Sequence, residues 1–109
     1  MAESAYQCLA MQQGGSLEVH EAKPHIPGDD EVLIKIKAIA LNPIDWKQID
    51  FGINISKWPC VLGGDGSGTV VAVGQSVAGF TTGDSVLASF SSGQDHSAAF
   101  QSHAAVNAI

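Results

Sequence analysis

The sequence predicts a small, mostly β, single domain, built as a partly closed β-barrel or folded sheet. Short β-rich segments alternate with glycine turns, a pattern typical of such architectures. The longest segment, residues 31–41, alternates apolar and polar side chains with period two. The sequence lacks the alternation of strands and helices that builds a nucleotide-binding sheet. A length of 109 residues suits one domain with a real core, so residues 1–109 are treated as one domain.

The first half is predicted from turn residues and periodicity. Residues 6–11 and 17–20 are expected to pair as a hairpin around Gly14 and Gly15, and residues 24–30 to form a surface loop. In the long strand, one face is predicted to carry the alternate apolar residues Val32, Ile34, Ile36, Ala38 and Ala40.

The second half begins with a short helix over residues 43–48. Asn42 can cap this helix, Pro43 suits its first turn, and Asp45 lies near its positive end. A loop, a glycine turn and further strands are then expected. These segments are residues 50–60 (loop), 63–68 (turn), 68–73 (strand), 79–84 (turn), 85–90 (strand), 91–97 (flexible, polar) and 98–106 (last strand).

Composition excludes several functional classes. The net charge of −6 argues against binding to nucleic acid or to an anionic membrane. All five basic residues are lysines, so no bidentate arginine clamp for phosphate is available. Without a secretory signal or an apolar run of roughly 20 residues, a cytoplasmic location is expected. Cys8 and Cys60 are expected to be buried, reduced thiols.

Residues 40–47 (ALNPIDWK) are the most informative segment. They are followed by the glycine-dense residues 63–68, by TVVAVG at 69–74 and by GDSV at 83–86. In this order the motifs resemble the N-terminal, GroES-like domain of medium-chain dehydrogenases/reductases, from about Tyr6 to Ile109. The Asn-Pro-x-Asp-Trp-Lys segment is most similar to the zinc-free branch that contains quinone reductases and fungal trans-acting enoyl reductases. The resemblance implies a GroES-like, partly open β-barrel with one or two short helices, lacking the Rossmann domain.

The resemblance also implies a function. The chain would be the N-terminal, substrate-side portion of an NADPH-dependent, zinc-independent trans-acting enoyl reductase. Such an enzyme reduces α,β-unsaturated acyl thioesters in polyketide biosynthesis, on a small-molecule or acyl-carrier-bound substrate and with a polyketide synthase as partner. The chain alone is expected to be inactive and to bind NADPH very weakly. The alternatives are a quinone reductase-type fragment and a non-enzymatic standalone module or truncated gene product. Self-association through the surface that would face the missing domain is also expected.

Carried over by position, the resemblance places six residues along the nicotinamide side of a cleft: Asn42, Pro43, Ile44, Asp45, Trp46 and Lys47. Asn42 would orient the nicotinamide or the substrate, or else cap the helix. Lys47 would bind the nicotinamide ribose or stabilise a carbonyl oxygen, as the candidate catalytic residue, or else be a solvated lysine. Asp45 would orient Lys47 or hold the helix start, and the helix start is favoured. Trp46 would form a wall of the cleft or pack in the core, and core packing is favoured.

The glycine-rich segment and the histidines are not predicted to be sites. Residues 63–68 (GGDGSG) do not match G-x-G-x-x-G and precede a β-branched run, so they are interpreted as allowing close backbone approach. Asp65 is expected to accept hydrogen bonds from turn amides. Zinc-dependent relatives place cysteine at Asn42 and histidine at Gly64. Residues 90–100 contain no cysteine, and His20, His25, His96 and His103 lack a shared-ligand spacing, so no metal site is predicted.

Overall fold

Two antiparallel sheets and one helix make up residues 4–108, the part of the chain that the computed structural model describes. In chain order the elements are β1 (Ala5–Ala10), β2 (Leu17–Ala22), β3 (Glu31–Ile39), α1 (Pro43–Phe51), β4 (Cys60–Val61), β5 (Asp65–Val73), β6 (Ser85–Ser89) and β7 (His103–Asn107). The strand orders are β2-β1-β4 and β6-β5-β3-β7. Neither sheet closes on itself, and the predicted mostly β, partly open architecture is confirmed.

The larger sheet carries the main core. Its buried members come from β3, β5 and β7, from the residue after β6 and from the segment before β7: Val32, Ile34, Val70, Phe90, Ala99, Ala104 and Val106. A smaller cluster, Ala10, Cys60 and Leu62, lies beside the other sheet and receives Ile49 of α1. Burial of these apolar side chains is the main favourable contribution to folding. The smaller cluster also seats α1 against the strands.

The prediction that one face of β3 runs unbroken from Val32 to Ala40 is wrong. Val32, Leu33 and Ile34 are all buried, whereas Ala38 and the residues after it are exposed. The pairing of β3 with β5 shifts register twice, between Leu33 and Ile34 and again before Ala38. Such irregularities turn a strand and exchange its faces. The exposed end of β3 therefore leads directly into α1.

Glycines in β5 allow it to approach β3. A Cβ at Gly66 would lie 2.9 Å from the carbonyl oxygen of Ala38, and one at Gly68 would collide with the carbonyl oxygen of Lys35. The predicted close backbone approach is confirmed. The predicted turn over residues 63–68 is wrong in extent, because β5 already begins at Asp65.

Other elements also differ from prediction. Helix α1 continues beyond residue 48 to Phe51, and it is capped by Gly52, whose φ of 67° is the left-handed conformation that glycine favours. The two-residue strand β4 was not predicted. The last strand begins only at His103, because residues 98–102 form bends that contact β1. No helix within residues 4–108 is long and apolar enough to span a membrane.

Both cysteines are free thiols. Cys60 is buried and Cys8 is partly exposed, so the predicted burial holds for Cys60 only. Burial raises the pKa of both thiols. Neither therefore has the lowered pKa that marks a reactive cysteine.

Candidate functional site

The candidate site is the corner at which β3 ends and α1 begins. Here Ile39 of β3 is paired with Gly66 of β5, and the Ala40 N–H donates to the carbonyl oxygen of Asp65 at 3.0 Å. The sheet register thus places Asp65 beside Asn42. The sequence gives no sign of this, because the two residues are 23 positions apart.

Asp45 holds the start of the helix, as predicted. Its Oδ2 accepts from the Asn42 N–H at 2.8 Å, and its own N–H donates to the Asn42 carbonyl oxygen at 2.9 Å. A carboxylate in the first turn also interacts favourably with the helix dipole. The side chain is 7% exposed, and its enclosed Oδ1 has no hydrogen-bond partner within residues 4–108. Asp45 is therefore directed to the helix start, and the suggested contact with Lys47 is not formed.

The side chain of Asn42 binds Asp65. The Asn42 Nδ2 donates to Oδ2 of Asp65 at 2.7 Å. The prediction that Asp65 accepts from turn amides is wrong, because Asp65 opens a strand and projects an exposed carboxylate toward the corner. Asn42 is consequently held at two points, through its main chain by Asp45 and through its side chain by Asp65.

The outer side of α1 exposes Ile44, Trp46 and Lys47. Trp46 is 52% exposed, and its ring centroid lies 6.1 Å from that of Phe51. The Lys47 Nζ lies 5.7 Å from the centroid of the Trp46 ring, within range of a cation–π interaction. The prediction that Trp46 packs in the core is wrong. The buried residues of α1 are Asp45 and Gln48, and Ile49 is partly buried, whereas Ile44, Trp46 and Lys47 face outward.

A polar relay that sequence reasoning missed fixes the underside of α1. The hydroxyl oxygen of Ser92 accepts from the Gly63 N–H at 2.9 Å, and the hydroxyl donates to Oε1 of Gln48 at 2.7 Å. Gln48, which is 5% exposed, also donates to the Ile53 carbonyl oxygen at 3.3 Å. The relay joins the helix to both loops beneath it. Polar residues in loops gave no signal that could have identified it.

Two of the histidines lie together at the other end of β3. The rings of His25 and His96 are 5.1 Å apart in an edge-to-face arrangement, and His25 is partly buried. Nε2 of His96 lies 2.9 Å from Oε1 of Glu31. A hydrogen bond from the Gly28 N–H, followed by the His96 contact, holds the pKa of Glu31 below its ordinary value. These contacts hold the loop of residues 24–30, which precedes β3, against His96.

The corner does not have the donor set of a zinc site. Asn42 directs an N–H toward Asp65, so its nitrogen is a donor there and not a ligand. A protein zinc site needs three or four ligands from cysteine, histidine or carboxylate. Across residues 4–108, no group of three such side chains is arranged to hold a metal ion. Zinc independence of the reaction stays a prediction.

Three of the residues predicted to bind a cofactor lie at or near the start of α1. Asn42, Trp46 and Lys47 offer an amide, a ring face and a cation on a reachable surface, which suits a nicotinamide and its ribose. For the phosphates, the glycine-rich segment leads into β5 and opens no helix, and the sequence contains no arginine.

An open apolar groove of about 390 Å³ adjoins the corner, and we call it the hairpin groove. It runs from the β1–β2 hairpin to Leu41, the residue before Asn42. Its walls include Tyr6, Cys8, Leu17, Val19, Leu41 and Phe100. Leu41 is 80% exposed and Val19 is 72% exposed. Large apolar side chains exposed side by side are typical of a contact surface.

Sequence comparison identifies the relatives of the chain. Residues 28–107 match the alcohol dehydrogenase GroES-like domain family. The trans-enoyl reductase tazE of Aspergillus terreus is 45% identical over 61% of this chain and 22% of its own length. The trans-enoyl reductase tndF of Aspergillus flavipes is 41% identical over 71% of this chain and 23% of its own length. A zinc-type alcohol dehydrogenase-like protein of Staphylococcus aureus is 36% identical over 71% and 22%. The chain therefore spans about a fifth of the length of these relatives.

Solved structures agree with this assignment. An alcohol dehydrogenase superfamily protein from Novosphingobium aromaticivorans superposes with a TM-score of 0.86 at 29% identity, over 95% of this chain and 32% of the other. A quinone oxidoreductase of Pseudomonas syringae gives 0.81 at 30% identity, over 94% and 31%. Escherichia coli quinone oxidoreductase, solved with NADPH, gives 0.79 at 25% identity, over 94% and 31%. The fold described above is the fold of this part of those proteins.

Proposed function

We propose that this chain, which belongs to the alcohol dehydrogenase GroES-like domain family, forms the substrate-side part of an NADPH-dependent, zinc-independent enoyl reductase. The substrate class is an α,β-unsaturated acyl thioester of polyketide biosynthesis, free or bound to an acyl carrier. Identities of 45% and 41% to two fungal trans-enoyl reductases support this class over other members of the family.

The observation that carries the proposal is the corner at Asn42. A helix start fixed by Asp45 holds Asn42 against Asp65, while Trp46 and Lys47 stand exposed one turn along. Reduction of an activated alkene requires the nicotinamide to be held face-on and a donor near the carbonyl oxygen, where negative charge develops. The Trp46 ring supplies a wall, and the Lys47 ammonium supplies the donor.

NADPH would meet this chain at its nicotinamide end. Bound NADPH supplies a hydride for the β-carbon of the alkene. Asn42 would hydrogen-bond the carboxamide of the nicotinamide, and Lys47 would hydrogen-bond its ribose or the carbonyl oxygen of the substrate. Pro43 and Ile44 shape the entry to the helix, and Asp45 keeps that entry in place. The phosphates need groups that these residues do not offer.

A chimera tests the proposal. The chain replaces the matching segment of the Aspergillus terreus trans-enoyl reductase, and NADPH oxidation is measured with an enoyl thioester. We expect activity that falls about 100-fold in Lys47→Ala, because a donor to the developing charge is lost. The matched control is Lys37→Ala, an exposed lysine on β3. A folded chimera that does not reduce the enoyl thioester would contradict the proposal.

A quinone reductase is the second candidate. The structural similarity to the quinone oxidoreductases of Pseudomonas syringae and Escherichia coli supports it. The same chimera distinguishes the two candidates when a quinone is offered in place of the enoyl thioester. Reduction of the quinone alone would favour this alternative.

A further inference from the structure

We propose that Asp65 is a positioning residue, which turns the Asn42 amide so that its oxygen is offered to a ligand N–H. The best-matched ligand group is a primary carboxamide, such as that of nicotinamide. The inference rests on the proposed function and extends it to a residue outside the helix segment.

The chemistry of the two side chains fixes the orientation of the amide. An ionised carboxylate can only accept hydrogen bonds, whereas the Asn42 side chain has an NH₂ donor and an oxygen acceptor. The atom of Asn42 that lies 2.7 Å from Asp65 must therefore be the nitrogen. Hydrogen bonds to an ionised acceptor are roughly twice as strong as neutral ones. Rotation of the amide would replace this bond with a repulsive contact between two oxygens.

The backbone on both sides of the pair prevents compensating movement. The Asn42 N–H is bound by Asp45, and the Ala40 N–H is bound by the carbonyl oxygen of Asp65. Asp65 therefore contacts the chain both before Asn42 and at its side chain. Since β5 and β3 are paired along their lengths, the amide orientation follows the geometry of the sheet.

The amide oxygen of Asn42 faces the Asp45 N–H in the capping box, which leaves one lone pair of that oxygen and the second amide hydrogen for a ligand. Asn42 is partly exposed, so a ligand at the corner can reach them. A primary carboxamide offers the complementary pair, an N–H and a carbonyl oxygen. An amide free to rotate would present either of its ends, whereas a fixed one presents the oxygen to the ligand N–H. Asp65 would thus contribute to binding without touching the ligand.

The test uses the ¹⁵N-labelled chain and nicotinamide mononucleotide as the probe. In the wild type we expect a distinct pair of Asn42 side-chain amide signals, which shift as the probe is added. In Asp65→Ala these signals should move toward those of a solvated amide, and probe binding should weaken about tenfold. Asp65→Asn, which keeps an oxygen acceptor, should retain part of the effect. Asp50→Ala is the control, since Asp50 is an exposed carboxylate on the same helix.

The backbone spectrum reports whether each variant is folded, and Asp65→Asn serves if Asp65→Ala does not fold. Unchanged Asn42 signals in a folded variant would overturn the inference. So would a probe that leaves the Asn42 signals of the wild type unmoved, because the fixed amide would then have no carboxamide ligand. The chimera assay separates the two proposals. An active chimera with unchanged NADPH dependence in Asp65→Ala contradicts this inference alone, whereas an inactive folded chimera contradicts the proposed function.

Discussion

Two carboxylates bind Asn42, one at its main chain and the other at its side chain. Asp45 fixes the main chain at the helix start, and Asp65 fixes the side chain from a neighbouring strand. The first interaction is local and can be read from the spacing of a capping box. The second depends on the register between β5 and β3. Stability should therefore depend on Asp45, and ligand recognition on Asp65.

Replacing Asp45 should destabilise the chain. Asp45→Ala removes the acceptor for the Asn42 N–H and the charge near the helix dipole, so we expect the free energy of unfolding to fall by about 1 kcal/mol. Urea denaturation measures this. Asp50→Ala removes the same charge from an exposed position of α1. An equal loss in both variants would mean that net charge, and not the helix start, is responsible.

Because of Glu31, the free energy of unfolding should depend on pH in the acid range. Its folded-state pKa lies below the ordinary value, chiefly through the Gly28 N–H and then through His96. The stabilisation is therefore fully present above the ordinary carboxyl pKa and is lost as pH falls through the lowered one. Glu31→Gln should lose less stability than the wild type over this window in urea titrations. Glu21→Gln, an exposed carboxylate on β2, should behave like the wild type. Identical acid sensitivity in all three proteins would refute the assignment.

At the scale of elements, the position of α1 depends on what lies beneath it. The Ser92 hydroxyl satisfies the buried Gly63 N–H and also holds Gln48. Because α1 buries mainly polar residues, this relay replaces much of the apolar packing that normally seats a helix.

Loss of the polar relay should lower the free energy of unfolding. Ser92→Ala leaves the Gly63 N–H and the Gln48 carbonyl without their partner, and a buried unsatisfied group costs about 2 kcal/mol. Thermal or urea unfolding should show that the free energy of unfolding falls by about this amount. Ser91→Ala, at the exposed neighbouring position, should have little effect. Equal stability of the two variants would show that the relay contributes nothing.

Close approach of two strands should make Gly68 intolerant of a side chain. Gly68→Ala brings a Cβ against the carbonyl oxygen of Lys35, so β5 or β3 must shift, at a cost of about 2 kcal/mol. Ser67→Ala, in the adjacent position of the same strand, adds no volume and serves as the control. Unfolding curves that coincide with the wild type would show that the strands separate more easily than their packing implies.

Elements could be predicted from this sequence where one residue pattern is strong, and contacts between elements could not. The alternation in residues 31–41 gave β3, and Asn42, Pro43 and Asp45 gave the start of α1. A two-residue strand such as β4 is too short for any periodicity. Trp46 was misplaced because hydrophobicity alone does not tell which side of a helix is covered. The Asn42–Asp65 contact requires the register of β5 on β3, which local sequence does not encode.

At the scale of the whole molecule, the hairpin groove should lead to self-association. Size-exclusion chromatography of the 11.3 kDa chain should show elution that shifts to larger sizes with concentration. Val19→Glu combined with Leu41→Glu should elute as a monomer, because two charges would be buried in an apolar contact. Leu87→Glu places a charge at an even more exposed leucine outside the groove, and this variant should still associate. A wild type that stays monomeric at every concentration would contradict this prediction.

If the proposed function is correct, this chain holds the nicotinamide end of NADPH and the phosphates are held by groups outside it. Isothermal titration of NADPH into the chain and into the chimera with the Aspergillus terreus trans-enoyl reductase tests this claim directly. We predict no saturable binding in the micromolar range for the folded chain and saturable binding for the chimera. Saturable micromolar binding by the chain alone, or none by a folded chimera, would contradict the claim.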